Sequence, residues 1–393
     1  MEISDIYSIL AQPVNKGFAD FIQSKLDEMG ITRNYLCKAI NIDNKTLARI
    51  LNGEAKKVDV VKVLKLGDFM GITYQEFVQH YVAELKRDEI RKIESARKAG
   101  FILRNFDLPK LKAMGFIKNR TNFDLIEKRI LNFFGFDSLL EYEQGFLVLK
   151  NLFSRTQKSP SEKILKFWCT TAIKEFKTID NPYPFDQTQT KSIITMLSIS
   201  TSDEVNGLFN IVRRLYRAGV TVLINPYVGN TQVRGATFIV NNKPCIILQD
   251  FRKTYDTIWF ALAHELCHVI KDLNTIDSTK FHITFDKAQN DLFIDEIIER
   301  RADNFASEIL LPDNKMRYIA GHIDVPGVVK EFSKKWQVSE SIIYGQYAYR
   351  YNQPTYFART QKAEVAIKQL MVRNLYEEEK IEVAIEKIKA IYI

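Results

Sequence analysis

The chain has 393 residues, of which 46% are hydrophobic and 26% charged, and its formal net charge is +8. This length exceeds one compact core, and the composition is that of a soluble globular protein with two or three domains. No apolar run could span a bilayer, the first residues lack a secretory pattern, and the four cysteines are scattered. These features argue against a membrane protein and a disulfide framework, so we expect a cytoplasmic protein.

Residues 17–85 follow a short N-terminal extension, residues 1–16, and predict several short helices. Apolar residues recur at helical spacing in "FADFIQSKLDEMG", "TRNYLCKAI", "DNKTLARILNG" and "DVVKVLKLGDFMG". Asp43 suits the N-cap of the third segment, and Gly30 and Gly53 suit helix ends. The pattern therefore predicts a small all-α domain.

Residues 86–190 predict a helical middle region. "RDEIRKIESARK" is a charged helix, and "LPKLKAMGFI" and "FDLIEKRILNFFGF" are short amphipathic helices. "RTQKSPSE" reads as an exposed loop, and the turn-rich stretch "TIDNPYPFDQTQT" indicates a domain boundary.

Residues 191–350 have a different pattern, since three β-rich runs follow a helix near "DEVNGLFNIVRRLYRAG". The runs "VTVLINPY", "VRGATFIV" and "PCIILQD" are separated by turn residues, which predicts a small antiparallel sheet. Two long helices come next, the second over about residues 291–311. The tail, residues 351–393, is helical and either packs on the body, mediates association or stays solvated.

The first long helix contains "HELCH", with two histidines four residues apart. Positions i and i+4 share one helix face, so His264 and His268 can present two imidazoles to one ion. Glu265 lies beside them, close enough to touch a metal-bound water without ligating the metal. The alternative is an ordinary buried helix with two satisfied core histidines.

A catalytic zinc usually takes three protein ligands, and the second long helix can supply the third. Glu299 and Asp303 lie one turn apart next to its apolar face. Glu299 would ligate, and Asp303 would hydrogen-bond the far nitrogen of a ligating histidine. Asp295, Glu296 and Glu308 compete for the ligand role. A further alternative is that Glu299 and Asp303 form a solvated edge paired with the two neighbouring arginines.

The stretches "WFALAHELCHVI" and "IERRADNFASEILLP" together resemble the ImmA/IrrE metallopeptidases over about residues 195–350. The resemblance implies an α+β zincin-like domain with Zn²⁺ held by His264, His268 and Glu299, and with Glu265 as the catalytic base. The family often has a glutamate where this chain has Arg301. The strand "KPCIILQ" could pair with an extended substrate, and Tyr344 and His322 are candidates for stabilising an oxyanion.

Residues 32–73 resemble the Cro/C1-type helix-turn-helix, in which one helix crosses the DNA backbone and the next enters the major groove. Asn41 stands where a turn glycine is usual and tolerates the left-handed conformation. The resemblance implies a small core of six residues: Leu36, Ala39, Leu47, Ile50, Val61 and Leu64. It also implies five candidate DNA contacts: Arg33, Asn44, Lys45, Thr46 and Arg49. The alternative for this domain is a protein-docking or vestigial role.

The expected fold class is multidomain and mainly α-helical with a small β-sheet. The expected segments are an extension at 1–16, a helix-turn-helix domain at 17–85, a helical middle region at 86–190, a metallopeptidase domain at 191–350 and a helical tail at 351–393.

The two resemblances together imply a DNA-binding zinc metalloendopeptidase. Its substrate would be a transcriptional repressor, or its own helix-turn-helix region, cut to switch on a stress, mobile-element or phage-defence response. The implied partners are double-stranded DNA at its own or a neighbouring promoter, the repressor, and a second copy in a homodimer. The alternative is a transcriptional regulator or antitoxin whose peptidase-like domain is silent or structural.

Overall fold

The computed structural model describes residues 17–54, 60–84, 87–147, 160–229, 231, 233–250, 252–274, 276, 281–285, 296–371 and 374–392. The chain divides into two compact units, residues 1–101 and 102–393. Within the described ranges, no helix is long and apolar enough to cross a membrane.

Unit 1 is entirely helical in its described part, as the sequence predicts. Its helices are α1 (Phe18–Glu28), α2 (Arg33–Ile40), α3 (Asn44–Leu51), α4 (Val60–Met70), α5 (Tyr74–Ala83) and α6 (Arg87–Asn105), the last of which continues into unit 2. Asp43 caps α3 by accepting a hydrogen bond from Thr46 N at 2.7 Å, which confirms the predicted N-cap. Asn41 adopts φ 56°, so the left-handed turn is also confirmed.

The core of unit 1 is only partly the predicted one. Leu36, Leu47 and Ile50 are buried as expected. Ala39, Val61 and Leu64 are exposed, so their assignment to the core is wrong. The buried face of α4 instead contains Leu66 and Met70, with Val63 packed against it. Apolar residues occur on more than one face of α4, and tertiary packing decides which face is buried.

Unit 2 combines many helices with one sheet. Its described helices are α7 (Leu108–Ala113), α8 (Phe123–Phe134), α9 (Leu139–Leu147), α10 (Pro160–Ile179), α11 (Gln187–Ile194), α12 (Leu197–Ser200), α13 (Gly207–Arg217), α14 (Tyr255–Lys271), α15 (Glu296–Leu310), α16 (Asp313–Ala320), α17 (Pro326–Trp336), α18 (Glu340–Arg350), α19 (Glu364–Ile367) and α20 (Ile381–Tyr392). Two 3-10 helices, Pro354–Arg359 and Leu375–Glu377, lie in the tail. Residues 155–159 of the predicted loop lie outside the described residues, and Pro160 already begins α10.

The sheet has four strands in the order β1-β3-β2-β4: β1 (Thr221–Asn225), β2 (Val233–Val240), β3 (Lys243–Gln249) and β4 (Phe281–Phe285). β2 and β3 form a hairpin, and Asn241 and Asn242 at its turn both have positive φ. β1 pairs with β3 rather than β2 and therefore runs parallel to β3. The sheet is mixed, and the prediction of a wholly antiparallel sheet is wrong because the connection after β1 carries the chain past β3.

The sheet supports the helix that carries "HELCH". α14 packs on β2 and β3 and also contacts α15 and α18. α18 approaches α14 closely at Gly345, where an added Cβ would lie 2.3 Å from Asp256 Oδ2. In the tail, α20 packs on α10, and the Tyr392 hydroxyl donates to the Val222 carbonyl. The tail therefore packs on the body of unit 2.

Candidate metal centre

α14 presents its two histidines inside the protein. The helix runs from Tyr255 to Lys271, and its apolar residues are buried against the sheet and against α15. His264 and His268 are 2% and 0% exposed, and Glu265 between them is 1% exposed. Polar side chains this deeply buried require partners.

α15 supplies the third donor. Glu299 is 6% exposed and points its carboxylate at both imidazoles. Its Oε2 atom lies 3.3 Å from His264 Nε2, and its Oε1 atom lies 3.5 Å from His268 Nε2. The two Nε2 atoms are 3.1 Å apart. His264, His268 and Glu299 thus form a group that could hold a metal ion.

The three donors fit a tetrahedral zinc site in size and in chemistry. Zinc–ligand bonds near 2.0–2.1 Å place tetrahedral ligand atoms about 3.3 Å apart. The separation of the two Nε2 atoms, 3.1 Å, and that between His264 Nε2 and Glu299 Oε2, 3.3 Å, are close to this value. Each histidine turns Nδ1 towards a carboxylate, which can only accept, so each neutral ring keeps its proton on Nδ1. Two Nε2 lone pairs and a carboxylate oxygen then converge, an arrangement that a cation stabilises.

The Nδ1 atom of each imidazole, on the side of the ring away from the other donors, is hydrogen-bonded to a carboxylate. His264 Nδ1 lies 3.0 Å from Asp303 Oδ1, and the Tyr349 hydroxyl donates to Asp303 Oδ2 at 2.9 Å. His268 Nδ1 lies 2.9 Å from Asp272 Oδ2, and Arg301 donates to the other oxygen of Asp272. These contacts set the tautomer and the orientation of each ring.

The carboxylates also shift the pKa values of the rings. Burial acts to lower the pKa of His264, but hydrogen bonds to Asp303 and Glu299 raise it above its ordinary value. Burial likewise acts to lower the pKa of His268, but hydrogen bonds to Asp272 and Glu299 raise it to about 9. Burial acts to raise the pKa of Glu299, but hydrogen bonds with the three histidines around it hold that pKa well below its usual range. A cation at the Nε2 atoms therefore competes with protons.

Glu265 faces β2 across a position that requires glycine. Thr237 Oγ1 donates to Glu265 Oε2 at 2.7 Å, and Thr237 is fully buried. A Cβ on Gly235 would lie 2.8 Å from Glu265 Oε1. The strand thus fixes one oxygen of the carboxylate and packs closely against the other, which the missing side chain of Gly235 permits.

The candidate DNA-contacting residues lie on α2 and α3 of unit 1. Arg33, Asn44, Lys45 and Arg49 are exposed, and Thr46 is half-buried. Arg33 Nε donates to Gln23 Oε1 at 2.9 Å, Asn44 Nδ2 donates to Asn34 Oδ1 at 2.8 Å, and Thr46 Oγ1 donates to Asp43 Oδ2 at 2.6 Å. α3 therefore presents a polar, basic face to solvent.

Comparison with protein families finds two matches, and they cover separate parts of the chain. Residues 22–81 match the Cro/C1-type HTH DNA-binding domain. Residues 216–345 match the IrrE N-terminal-like domain of the M78 peptidases. The chain joins an N-terminal Cro/C1-type helix-turn-helix domain to a C-terminal IrrE-like peptidase domain. Searches of curated proteins and of solved structures find no match.

Within the IrrE-like domain, one described competitor for the ligand role, Glu308, is not part of the donor group. Glu308 is exposed and accepts a hydrogen bond from Asp313 N. Asp295 and the side chain of Glu296 lie outside the described residues. β3 is an inner strand flanked by β1 and β2, so the predicted edge pairing of "KPCIILQ" with a substrate is wrong.

The two oxyanion candidates of the IrrE-like domain also lie in other surroundings. His322 is exposed beside Tyr318 at the end of α16. Tyr344 is buried on α18, with the Arg359 guanidinium 5.5 Å from its ring centre.

Sequence reasoning missed five side chains that touch the centre of the IrrE-like domain: Thr237, Asp272, His282, Arg301 and Tyr349. Asp272 carried a usable signal, because it follows His268 at i+4 on the same helix face. His282 carried a weaker one, since β4 has a short alternation of aromatic or branched and polar residues in "FHITF". The solvated-edge alternative for Glu299 and Asp303 does not describe the structure, where both are buried.

Proposed function

We propose that this chain is a zinc metalloendopeptidase joined to a DNA-binding domain. His264, His268 and Glu299 would hold Zn²⁺, Glu265 would act as the catalytic base, and Asp303 would orient His264. The observation that carries the proposal is the convergence of three buried donor groups: the two Nε2 atoms lie 3.1 Å apart, and the Glu299 carboxylate places one oxygen 3.3 Å from His264 Nε2 and the other 3.5 Å from His268 Nε2. The family match at residues 216–345 supports the same reading.

Each residue of the metal centre has its own role in the proposed hydrolysis. When bound, zinc supplies a Lewis acid that activates water and polarises a scissile carbonyl. Asp303 and Asp272 keep the proton of each imidazole on Nδ1. Glu265 takes the proton of the attacking water and later passes it to the leaving amine. Thr237 holds Glu265 Oε2 while this proton moves.

The substrate we propose is a transcriptional repressor, or the helix-turn-helix region of the chain itself. Among the described strands, β4 lies at the edge of the sheet beside the metal centre, so an extended substrate could add to it by backbone hydrogen bonds. The fusion to a DNA-binding domain supports a substrate that is also found at a promoter. Such a cut would release repression of a stress, mobile-element or phage-defence response.

The DNA contacts we propose are Arg33, Asn44, Lys45, Thr46 and Arg49. α3 would enter the major groove, where Lys45 and Arg49 are exposed and can reach base edges or phosphates. Arg33 at the start of α2 would contact a phosphate. Paired half-sites on the operator would require a homodimer.

The test of the metal centre is elemental analysis of the purified full-length chain. We expect about one zinc per chain, and we expect the replacement His264→Ala to remove it. The replacement His322→Ala changes an exposed histidine of the same unit and serves as the matched control, with zinc retained. A correctly folded wild-type chain without zinc would contradict the proposal.

The alternative is a transcriptional regulator or antitoxin with a silent peptidase-like domain. A regulator of this kind would bind zinc and its promoter but would cut nothing. Equal promoter repression by the wild type and by Glu265→Gln, together with intact partner proteins in both, would favour this alternative.

A further inference from the structure

His282 lies on the edge strand β4 and points at the metal centre. Its register partner on β2 is Thr237, and directly paired residues of antiparallel strands project from the same face of the sheet. Thr237 contacts the carboxylate of Glu265, and His282 contacts the carboxylate of Glu299. One cross-strand pair therefore reaches both functional carboxylates.

The contact between His282 and Glu299 is a short hydrogen bond of 2.6 Å from Nε2 to Oε1. An ionised carboxylate only accepts, so His282 Nε2 must carry the proton and donate it. Hydrogen bonds to a charged acceptor are short and about twice as strong as neutral ones. The His282 ring also lies 4.2 Å from the His268 ring, centre to centre, so it borders two of the three donors.

The two oxygens of Glu299 are consequently not equivalent. Oε1 accepts the hydrogen bond from His282 and lies 3.5 Å from His268 Nε2. Oε2 lies 3.3 Å from His264 Nε2, which is close to the ligand spacing of tetrahedral zinc. A catalytic zinc site must keep one position open for water. A carboxylate that ligates through both oxygens would fill that position.

We propose that His282 is a positioning residue that holds Glu299 Oε1 and so makes Glu299 a single-oxygen ligand of the metal. The inference rests on the proposed zinc site, and it assigns to β4 the task of keeping one coordination position open. The side chain of His282 is 23% exposed, against 0–8% for the three donors. Replacing it therefore disturbs the core less than replacing a donor would.

The test uses the full-length chain and two replacements at this position. His282→Gln keeps an N–H donor near the position of Nε2, whereas His282→Leu removes it. Zinc affinity is measured by competition with a chromophoric chelator, and the coordination is read from the visible spectrum of the Co²⁺-substituted protein. The replacement His322→Leu, an exposed histidine of the same unit, is the control.

We expect His282→Leu to weaken zinc binding by roughly 10- to 100-fold, the usual effect of losing a partner of a ligand. Its Co²⁺ spectrum should change towards the weaker absorption of a higher coordination number. His282→Gln and His322→Leu should match the wild type within about threefold.

Two results would overturn the inference. One is a His282→Leu chain that binds zinc as tightly as the wild type with an unchanged spectrum. The other is a His282→Gln chain as weak as His282→Leu, because the imidazole itself would then be the ligand. A wild-type chain that binds no zinc would overturn the proposed function instead, so the two failures are distinguishable.

Discussion

At the scale of single residues, the centre depends on side chains that touch the donors rather than on the donors alone. Asp303 and Asp272 fix the two imidazoles, His282 fixes Glu299, and Thr237 fixes Glu265. Each of these contacts selects one orientation for a group that could otherwise rotate. Groups of this kind usually matter nearly as much as the ligands do.

The hydroxyl of Thr237 gives the first prediction. Thr237→Val keeps the shape of the side chain and removes the donor to Glu265 Oε2. We expect the rate of substrate cleavage to fall by roughly 10- to 100-fold, since a hydrogen bond to a charged group contributes about 1.5–3 kcal/mol. Zinc content should stay the same. Thr237→Ser retains the hydroxyl and should retain the rate, and an unchanged rate in Thr237→Val would contradict the assigned role.

Glu175 gives a prediction about pH. Burial raises the pKa of this carboxyl to about 8, against a weaker lowering by the hydrogen bond from Asn225. Between its ordinary pKa near 4.3 and pH 8, the folded chain binds a proton that the unfolded chain releases. The free energy of unfolding therefore falls as the pH rises, by at most about 1.4 kcal/mol per pH unit from this group.

Glu175→Gln should remove this loss, so the variant should gain stability relative to the wild type between pH 5 and pH 8. Denaturant unfolding at both pH values measures the difference. Glu386→Gln, at an exposed glutamate of α20, should behave like the wild type. A constant difference between Glu175→Gln and the wild type across this range would show that Glu175 is ionised in the folded chain.

At the scale of helices and strands, the sequence predicted helix caps, turns and helix faces, but it did not predict which strands pair with each other. Asp43 and Asn41 follow from the chemistry of single residues, and so does the shared face of His264 and His268. The parallel direction of β1 depends on which neighbour it meets, and no residue of the strand encodes that choice. β4 was not predicted, because its five residues give only a short alternation of apolar and polar side chains. His282 lies on this strand and was therefore not predicted as a site residue.

The recognition helix gives the next prediction. Replacing Lys45 and Arg49 of α3 together by alanine should weaken binding to the promoter of the chain and reduce the salt dependence of binding, because two cations near the DNA are lost. Lys25→Ala on α1, where Lys25 already pairs with Glu28, is the control and should bind as the wild type does. Binding is measured by fluorescence anisotropy. If the double variant binds the promoter DNA as tightly as the wild type does, α3 is not the helix that enters the major groove.

The close approach of α18 to α14 gives a prediction about stability. A Cβ at Gly345 would lie 2.3 Å from Oδ2 and 2.6 Å from Cβ of the buried Asp256. Gly345→Ala should therefore destabilise the folded chain by about 1–3 kcal/mol, seen as a lower melting temperature. Gly327→Ala on α17 adds a Cβ that meets nothing within 4 Å and is the matched control. Equal melting temperatures would contradict this packing.

At the scale of the whole molecule, the chain combines two compact units with different chemistry. The family matches fall inside the segments expected for DNA binding and for peptidase chemistry, residues 22–81 and 216–345. The sequence could predict this organisation because each motif is local and specific. The expected boundaries at residues 16, 85, 190 and 350 stay predictions, as does the role of the helical region between the two matches.

The central claim is that the metal centre cuts a repressor, and one measurement tests it most directly. The full-length chain is co-expressed with any small helix-turn-helix protein encoded beside it, and mass spectrometry detects new termini in that protein and in the chain itself. We predict a defined cut with the wild type and none with Glu265→Gln, which keeps the shape of the site and its contact with Thr237 but cannot take a proton. The same cut with both chains, or intact proteins beside a zinc-loaded wild type, would contradict the account.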